Sequence, residues 1–458
     1  MDHDDLNHWA KRAADWVRDY HATLGDRPVR AQITPGELLA RLPETAPENA
    51  EPIDSIFADF ERLIPGATTH WQHPRFFAYF PANASPASML AEQLANGIAA
   101  QGMLWQTSPA ATELEQAMVG WLRDALGLPP HYTGTIHDTA TTATLSAVLT
   151  MRERALDFRG LTEGLAGQPR LRIYASAQTH SSVDKAVRLS GIGQDNLVKV
   201  ALRDDLSMDP AALAAAIAAD RAAGHVPAGV IFCAGGTALG AFDDIAACLS
   251  ACDGLPTHLD AAWAGSAMVC PEYRRLWAGA EQCTSIVFNP HKWMGVQFDC
   301  SIQFLRDPAP QINTLGLRPD FLETLEAEDV TNFNEWTIPL GRRFRALKLW
   351  FVLRAYGLQG IRARIRNHVT WTEKLCDALR QEAGIEIVTE PRLALFSFAL
   401  AAGDAATEAL LTRINADGRL YLTQTHHEGR FVIRFTCGSW DCTEADVMMV
   451  RDVIRALR

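Results

Sequence analysis

The sequence predicts an α/β protein with a large domain built on a mostly parallel sheet and a smaller α+β domain at its carboxyl end. Short apolar runs alternate with helical segments between residues 85 and 350. The clearest strand candidates each end at or just before a candidate site residue, as expected where ligands gather beyond the strand ends of an open sheet. The 458 residues are 48% hydrophobic, enough to bury a core larger than one simple layer.

Three segments are expected along the chain: an amino-terminal helical segment at 1–84, a large domain at 85–350 and a small domain at 351–458. In the first segment, apolar residues from Leu6 to Leu24 follow helical spacing and form an aromatic stripe. Such a helix needs a surface to cover. The stripe packs either on its own chain or on a partner subunit.

Elements of the two domains follow from local patterns. Asp209 and Pro210 open an alanine-rich crossover helix that ends near Gly224. The third segment is predicted to end in a helix from about Glu444. The other predicted elements are strands at 171–175, 229–233, 257–260, 285–288, 393–400 and 431–435, and a helical stretch at 372–379.

Composition excludes several classes of function. A net charge of -12 without a basic block argues against nucleic-acid binding. The acidic amino terminus lacks the apolar core of a signal peptide, and no apolar run has membrane-spanning length, so a soluble, cytoplasmic protein is expected. Nine cysteines occur singly, without a second pair at zinc-site spacing. Reduced, mostly buried thiols and no metal are predicted.

The segment from Asn289 to Trp293 is the most informative motif. It places Lys292 directly after the apolar run 285–288, so the lysine is expected at the edge of a sheet. Lysine amines form Schiff bases with carbonyl cofactors, of which pyridoxal 5'-phosphate (PLP) is the commonest.

A second motif supports that chemistry. The predicted strand 257–260 ends at Asp260, and small residues follow from Ala261 to Gly265. A pyridine ring that accepts electrons needs a carboxylate to keep its nitrogen protonated, and small residues let a flat ring approach the backbone. The alternative is that Asp260 only caps the next helix.

Together these motifs resemble the group II PLP-dependent decarboxylases, specifically the aromatic L-amino acid decarboxylase family with its aromatic aldehyde synthase branch. The resemblance covers nearly the whole chain in the family's order. It implies an aspartate aminotransferase-like (fold type I) domain, PLP as cofactor, an amino acid substrate, and a homodimer with a shared active site across which segment 1–84 packs. The matching segments are 70–71, 74–81, 108–115, 179–183, 258–262, 289–293 and 339–345.

The resemblance also implies roles for single residues. Lys292 carries the cofactor, Asp260 pairs with its ring nitrogen, and His180 stacks on its ring. Thr139 to Thr142 precede a predicted helix, and their hydroxyls and free backbone amides suit a phosphate. If a phosphate binds here, Asp138 should point away from it. The alternative is that these residues form an ordinary helix cap. The expected cofactor contacts are Ala140, Thr141, His180, Thr237, Asp260, Ala262, Asn289, His291 and Lys292.

An aromatic substrate pocket is implied as well, since flat apolar walls suit an aromatic amino acid. Core packing is the alternative role for these side chains. Three departures from the family leave substrate choice open: Ala82 replaces a threonine, Met103 a phenylalanine and Asn334 an arginine. The predicted substrate contacts are Trp71, Tyr79, Phe80, Pro81 and Met103.

Two other functions are considered. Decarboxylation of an acidic or aliphatic amino acid would need a basic residue in the pocket, and Arg75 is the obvious candidate. An inactive homologue acting as a binding protein is the other alternative. The retained Lys292, Asp260 and His180 argue against it.

The product depends on Phe321, in the segment from Arg318 to Leu322. The family's decarboxylases have a tyrosine here that protonates the carbanion, whereas the aldehyde synthases have phenylalanine. General-acid assistance is worth about 10²- to 10⁴-fold, so its loss favours reaction with oxygen. An aromatic acetaldehyde with ammonia and hydrogen peroxide is expected, partly or wholly in place of the amine. A shifted alignment of this loop, or a proton from His180 or water, would favour the amine.

Overall fold

A seven-stranded sheet forms the centre of the larger part of the protein. In the computed structural model, which describes residues 1–317 and 329–458, only β7 runs antiparallel to its neighbours in the order β1-β7-β6-β5-β4-β2-β3. The predicted α/β class with a mostly parallel sheet is confirmed, and so are the four predicted strands of the large domain. The strands are β1 (Thr133–His137), β2 (Leu171–Ser176), β3 (Leu197–Val200), β4 (Val226–Cys233), β5 (Thr257–Asp260), β6 (Ser285–Phe288) and β7 (Ser301–Leu305).

A second, antiparallel sheet of four strands has the order β10-β11-β9-β8. Its strands are β8 (Ile385–Arg392), β9 (Leu395–Leu400), β10 (Thr423–His427) and β11 (Arg430–Thr436). Internal contacts divide the chain into two compact units, residues 82–367 and residues 1–81 with 368–458. The second unit takes in most of the amino-terminal and carboxyl-terminal segments predicted from the sequence.

The helices follow the capping signals of the sequence. Asp209 caps α8 by accepting the amide of Ala211 at 2.8 Å, as predicted for the crossover helix. The long α12 is interrupted at Gly357, whose φ of 61° suits glycine. The helices are α1 (His3–Thr23), α2 (Ile53–Leu63), α3 (Pro86–Ile98), α4 (Pro109–Leu126), α5 (Ala140–Ala155), α6 (Gly160–Glu163), α7 (Ser181–Leu189), α8 (Pro210–Ala222), α9 (Ile245–Ala251), α10 (Pro290–Trp293), α11 (Ala309–Leu315), α12 (Arg345–Arg380), α13 (Asp404–Asp417) and α14 (Glu444–Leu457).

All nine cysteines are buried and free, as expected for reduced thiols. Burial raises the pKa of Cys248 and of Cys252 to about 12, so both stay protonated. In the described part of the chain, no three or more His, Cys, Asp or Glu side chains are grouped to hold a metal ion. None of the helices in residues 1–317 and 329–458 is long and apolar enough to cross a membrane.

Candidate active site

The ends of three parallel strands lie side by side in the larger unit. Asp260, the last residue of β5, is in register with Cys233 of β4 and Val287 of β6. Backbone pairing continues past the strands, because the amide of Asn289 donates to the carbonyl of Ala262 at 2.9 Å. The two motifs that carry Asp260 and Lys292 therefore leave the same edge of the sheet together.

Lys292 lies in the single-turn helix α10 and is half-buried. Asn83 holds the backbone around it: its amide donates to the carbonyl of His291 at 3.1 Å, and its side chain donates to the carbonyl of Lys292. Trp293 stacks on Trp263 with ring centroids 4.8 Å apart. These contacts fix the backbone at Lys292 and the side chain that follows it.

Asp260 is 6% exposed, and its Oδ1 accepts the amide of Ala262 at 3.0 Å. The alternative that Asp260 caps the next helix is wrong. The next element is a 3₁₀ segment, Ala264–Val269, whose capping position is occupied by Trp263. The Asp260 carboxylate is therefore placed at the sheet edge for a role other than capping.

His180 occupies the N-cap of α7. Its Nδ1 accepts the amide of Ser182 at 3.1 Å. The sequence by itself suggests a capping pair of Ser181 and Asp184 here, and that expectation is wrong. Asp184 instead accepts from Lys199 at 3.0 Å. A backbone N–H can only donate, so Nδ1 is unprotonated and a neutral His180 ring carries its proton on Nε2.

The charges around His180 connect it with the two strand-end motifs. The pKa of His180 is lowered, mainly by desolvation; the negative charge of Asp260 raises it and the positive charge of Lys292 lowers it. Charges act this way only at short range in a partly screened site. The fold thus brings together His180, Asp260 and Lys292, three of the four residues predicted to be catalytic, although they belong to separate strand ends.

The start of α5 has the features expected of an anion site, and its binding of a phosphate stays a prediction. Thr139 is its N-cap, and Asp138 accepts the Thr139 amide at 2.6 Å. The first amides of a helix, here those of Ala140 and Thr141, have no acceptor within the helix and attract anions. Ala140 packs with Val287 of β6 and with Ala262, so this helix start adjoins the two strand ends.

Asn289 and His291 are both buried. The Oδ1 of Asn289 accepts from the hydroxyl of Ser301 at 2.6 Å, and Nδ1 of His291 accepts the amide of Cys300 at 2.9 Å. Burial, with a smaller effect of the Lys292 charge, lowers the pKa of His291 to about 3. His291 is therefore neutral at pH 7, with its proton on Nε2.

The loop after β4 carries half-buried Thr237. The φ of Gly235 is +79°, and a Cβ there would lie 2.5 Å from the Cβ of Ala264, so the loop needs glycine. Asp243 anchors the loop by accepting the amides of Cys233 and Met208, each at 2.7 Å. Sequence reasoning missed Asp243 and Asn83, because nothing in the local pattern marks them. Ser182 lies in the matching segment 179–183, but its contact with His180 was not predicted.

The predicted substrate residues fall into both units. Met103, in residues 82–367, is half-buried, and its carbonyl accepts the amide of Asn334 at 3.0 Å. In the other unit Trp71 and Tyr79 are 40% and 43% exposed and stack at 5.9 Å, whereas Phe80 and Pro81 are buried. Phe80 and Pro81 therefore fit the alternative role of core packing, whereas Trp71 and Tyr79 do not.

Arg75, the candidate for binding an acidic substrate, is already engaged. Its guanidinium contacts the carboxylate of Asp446 at 3.3 Å and the carbonyl of Arg419 at 2.9 Å. Phe321, in contrast, lies outside the described residues.

The residues at the strand ends fit PLP. The set combines an amine, a buried carboxylate, an imidazole that remains accessible to solvent and the open amides of a helix start. These groups match an aldehyde, a pyridine nitrogen, a flat ring and a phosphate. The assignment of single residues to these contacts stays a prediction.

Comparison with known proteins decides the family. The model of the pyridoxal-dependent decarboxylase conserved domain matches residues 35–401. The chain belongs to the pyridoxal-dependent decarboxylases. It is a carboxy-lyase, its cofactor is PLP, and its fold is the fold type I implied by the resemblance.

Relatives of this decarboxylase include enzymes with different products. The aromatic-L-amino-acid decarboxylase of Rattus norvegicus is 36% identical and covers 100% of this chain and 98% of its own. The phenylacetaldehyde synthase of Arabidopsis thaliana is 35% identical, with 96% and 93% covered. The crystal structure of Oryza sativa TDC with PLP and tryptamine has a TM-score of 0.96 and 33% identity, covering 100% and 98% of the two chains.

Proposed function

We propose that this decarboxylase acts on an aromatic L-amino acid, with its PLP carried as a Schiff base on Lys292. The observation that carries the proposal is the convergence of His180, Asp260 and Lys292 at the ends of β2, β5 and β6, which lie within four adjacent strands of the sheet. The charges of Asp260 and Lys292 accordingly both affect the pKa of His180. When bound, PLP supplies an electron sink for the loss of carbon dioxide. The carboxylate of Asp260 would hold the ring nitrogen protonated.

The other residues would bind and orient. Ala140 and Thr141 offer amides at the start of α5, and Asn289 and His291 fix the approach to Lys292. Neutral His180, anchored through Nδ1 to Ser182, presents its Nε2 proton to the substrate side of the cofactor. A fixed donor of this kind can bind the substrate carboxylate without adding a full positive charge.

Three observations support an aromatic substrate. The exposed stack of Trp71 and Tyr79 provides flat apolar surface, which suits a ring. The acidic-substrate alternative loses support because Asp446 already pairs with Arg75. Both sequence relatives named above are, by their names, enzymes of aromatic compounds.

We further propose that Phe321 diverts part or all of the product from amine to aldehyde. Phenylalanine has no exchangeable proton, so it cannot act as the general acid that a tyrosine would be. The aldehyde route consumes oxygen and water and releases carbon dioxide, ammonia and hydrogen peroxide with the aldehyde. Similarity to a phenylacetaldehyde synthase supports this branch.

One experiment tests both statements. The PLP-loaded enzyme is incubated in air with a panel of aromatic, acidic and aliphatic L-amino acids, and carbon dioxide, amine, aldehyde and peroxide are measured together. Carbon dioxide is expected from aromatic substrates, with aldehyde and peroxide in equal amounts. In Phe321→Tyr, a restored proton donor should raise the ratio of amine to aldehyde by at least about tenfold.

The matched control is Phe431→Tyr, a change of the same kind at a half-buried ring on β11 that packs edge-on against His426. It should leave the product ratio unchanged. Amine as the sole product of the wild-type enzyme, with peroxide at background, would refute the aldehyde branch. Carbon dioxide from acidic substrates alone would refute the aromatic assignment.

We also propose a homodimer with a shared active site. On α3, Leu90, Leu94 and Ile98 recur every four residues and are 53%, 46% and 63% exposed, which leaves an apolar stripe for a second copy to cover. Sedimentation equilibrium should give twice the mass of one chain. A monomer at micromolar concentration would contradict the proposal.

A further inference from the structure

A buried ion pair in the larger unit connects a predicted substrate contact with the strand that leads to the cofactor site. The side chains of Arg342 and Glu115 are 3% and 4% exposed, and Nη2 of Arg342 lies 2.6 Å from Oε1 of Glu115. Both belong to segments that resemble the family, yet the proposed chemistry uses neither. A charge pair so deeply buried must be well oriented, because the loss of hydration offsets much of its attraction.

One side of the pair is attached to β1. Nη2 of Arg342 donates to the hydroxyl of Thr135 at 3.0 Å and to the carbonyl of Ile136 at 2.9 Å. Oε1 of Glu115 accepts the amide of Ile136 at 2.7 Å. Strand β1 ends one residue later, and α5, whose start is the predicted phosphate site, follows at Ala140.

The other side of the pair holds the segment from Gln101 to Met103. Nη1 of Arg342 donates to the carbonyl of Gly102 at 3.3 Å, and the carbonyl of Arg342 accepts the amide of Gly102 at 2.9 Å. The amide of Arg342 in turn donates to Oε1 of Gln101 at 2.6 Å. These bonds attach the residues directly before Met103 to a single arginine.

The guanidinium of Arg342 also contacts the segment that bonds to the carbonyl of Met103. It lies over the ring of Phe333 at 4.8 Å, and Asn334, the next residue, donates its amide to the carbonyl of Met103 at 3.0 Å. Met103 is thus held from two directions, and Arg342 contributes to both.

We propose that Arg342 is a positioning residue, which holds Met103 at a fixed distance from the cofactor-binding end of β1 and so sets the affinity for substrate. The inference rests on the proposed function, because Met103 is a predicted substrate contact. Arginine is needed because its planar fork bonds Glu115, Ile136 and Gly102 at once, which a lysine ammonium cannot do in the same geometry.

The test compares Arg342→Lys with Arg343→Lys. Arg343 is the matched control, since its side chain is 54% exposed and pairs with Glu92 on α3. For the best substrate, Arg342→Lys should raise KM by about tenfold and change kcat by less than about threefold, because a displaced pocket wall weakens ground-state and transition-state binding alike. Arg343→Lys should leave KM within about twofold.

A purely structural role predicts a different result. Loss of folded enzyme lowers the maximal rate in proportion to the folded fraction and leaves KM unchanged. Gln101 is exposed, and Gln101→Ala removes its bond to the main-chain amide of Arg342, so this variant should raise KM by about threefold. If Arg342→Lys does not fold, the KM of Gln101→Ala decides between the positioning role and a purely structural one. Unchanged KM in the folded variants overturns the inference alone. A wild-type enzyme inactive on the whole panel overturns the proposed function and the inference with it.

Discussion

Replacing Lys292 with alanine is expected to lower kcat by more than about 10³-fold, because no other group in the proposed site can supply the amine that carries PLP. The substitution spares the local backbone, since Asn83 donates to the main-chain carbonyls of His291 and Lys292. The measurements are carbon dioxide release and the visible absorbance of the lysine-linked cofactor. Both should be lost.

Two other lysines make this experiment decisive. Lys374 is 52% exposed and pairs with Glu444, so Lys374→Ala is the control that should keep both signals. Lys348 is the rival amine: it is buried, and desolvation lowers its pKa to about 8, which would make it a better nucleophile than an ordinary lysine. Absorbance retained in Lys292→Ala and lost in Lys348→Met would assign the cofactor to Lys348 and contradict the proposal.

Replacing Asp260 with asparagine should lower kcat by about 10²- to 10³-fold. Asparagine keeps an oxygen for the amide of Ala262, so the turn after β5 is preserved while the negative charge is removed. Without that charge nothing in the proposed site holds the ring nitrogen protonated, and the electron sink is weakened. The absorbance of the cofactor bound to Lys292 should remain in Asp260→Asn, whereas Lys292→Ala should lose both the absorbance and the activity.

His180 provides a second signal for the Asp260 substitution. The Asp260 charge raises the pKa of His180, so removing it should lower that pKa further, and NMR titration of the His180 ring should show protonation only at a lower pH than in the wild type. Asp184→Asn, on the same helix as His180 but paired with Lys199, is the control that should leave kcat unchanged. If Asp260→Asn moves neither kcat nor the His180 titration, Asp260 does not have the proposed role.

Local patterns identified most of the residues at the strand ends. The apolar runs before Asp260 and Lys292 are complete strands, and the cap formed by Asp209 starts α8 as predicted. These signals depend on neighbours in the chain, which a sequence displays directly. Serine is a common N-cap residue, so the sequence suggests Ser181 as the cap of α7; the N-cap is instead His180, whose Nδ1 accepts the amide of Ser182.

Contacts between distant parts of the chain were not predictable in the same way. Asn83 lies 209 residues before Lys292, and Glu115 lies 227 residues before Arg342. No periodicity or spacing connects such residues. The stacking of Trp263 on Trp293 joins two motifs that the sequence presented only as separate segments.

The sequence by itself determined which chemical groups the site contains: the amine of Lys292, the carboxylate of Asp260 and the imidazole of His180. Only the tertiary structure decided their state. It lowers the pKa of His180 by desolvation and brings the charges of Asp260 and Lys292 to bear on it, and it keeps His291 neutral by burying it. Protonation depends on desolvation and on distances to other charges, and folding sets both. A residue type names a reactive group, whereas its surroundings decide whether that group donates a proton, accepts one or carries a charge.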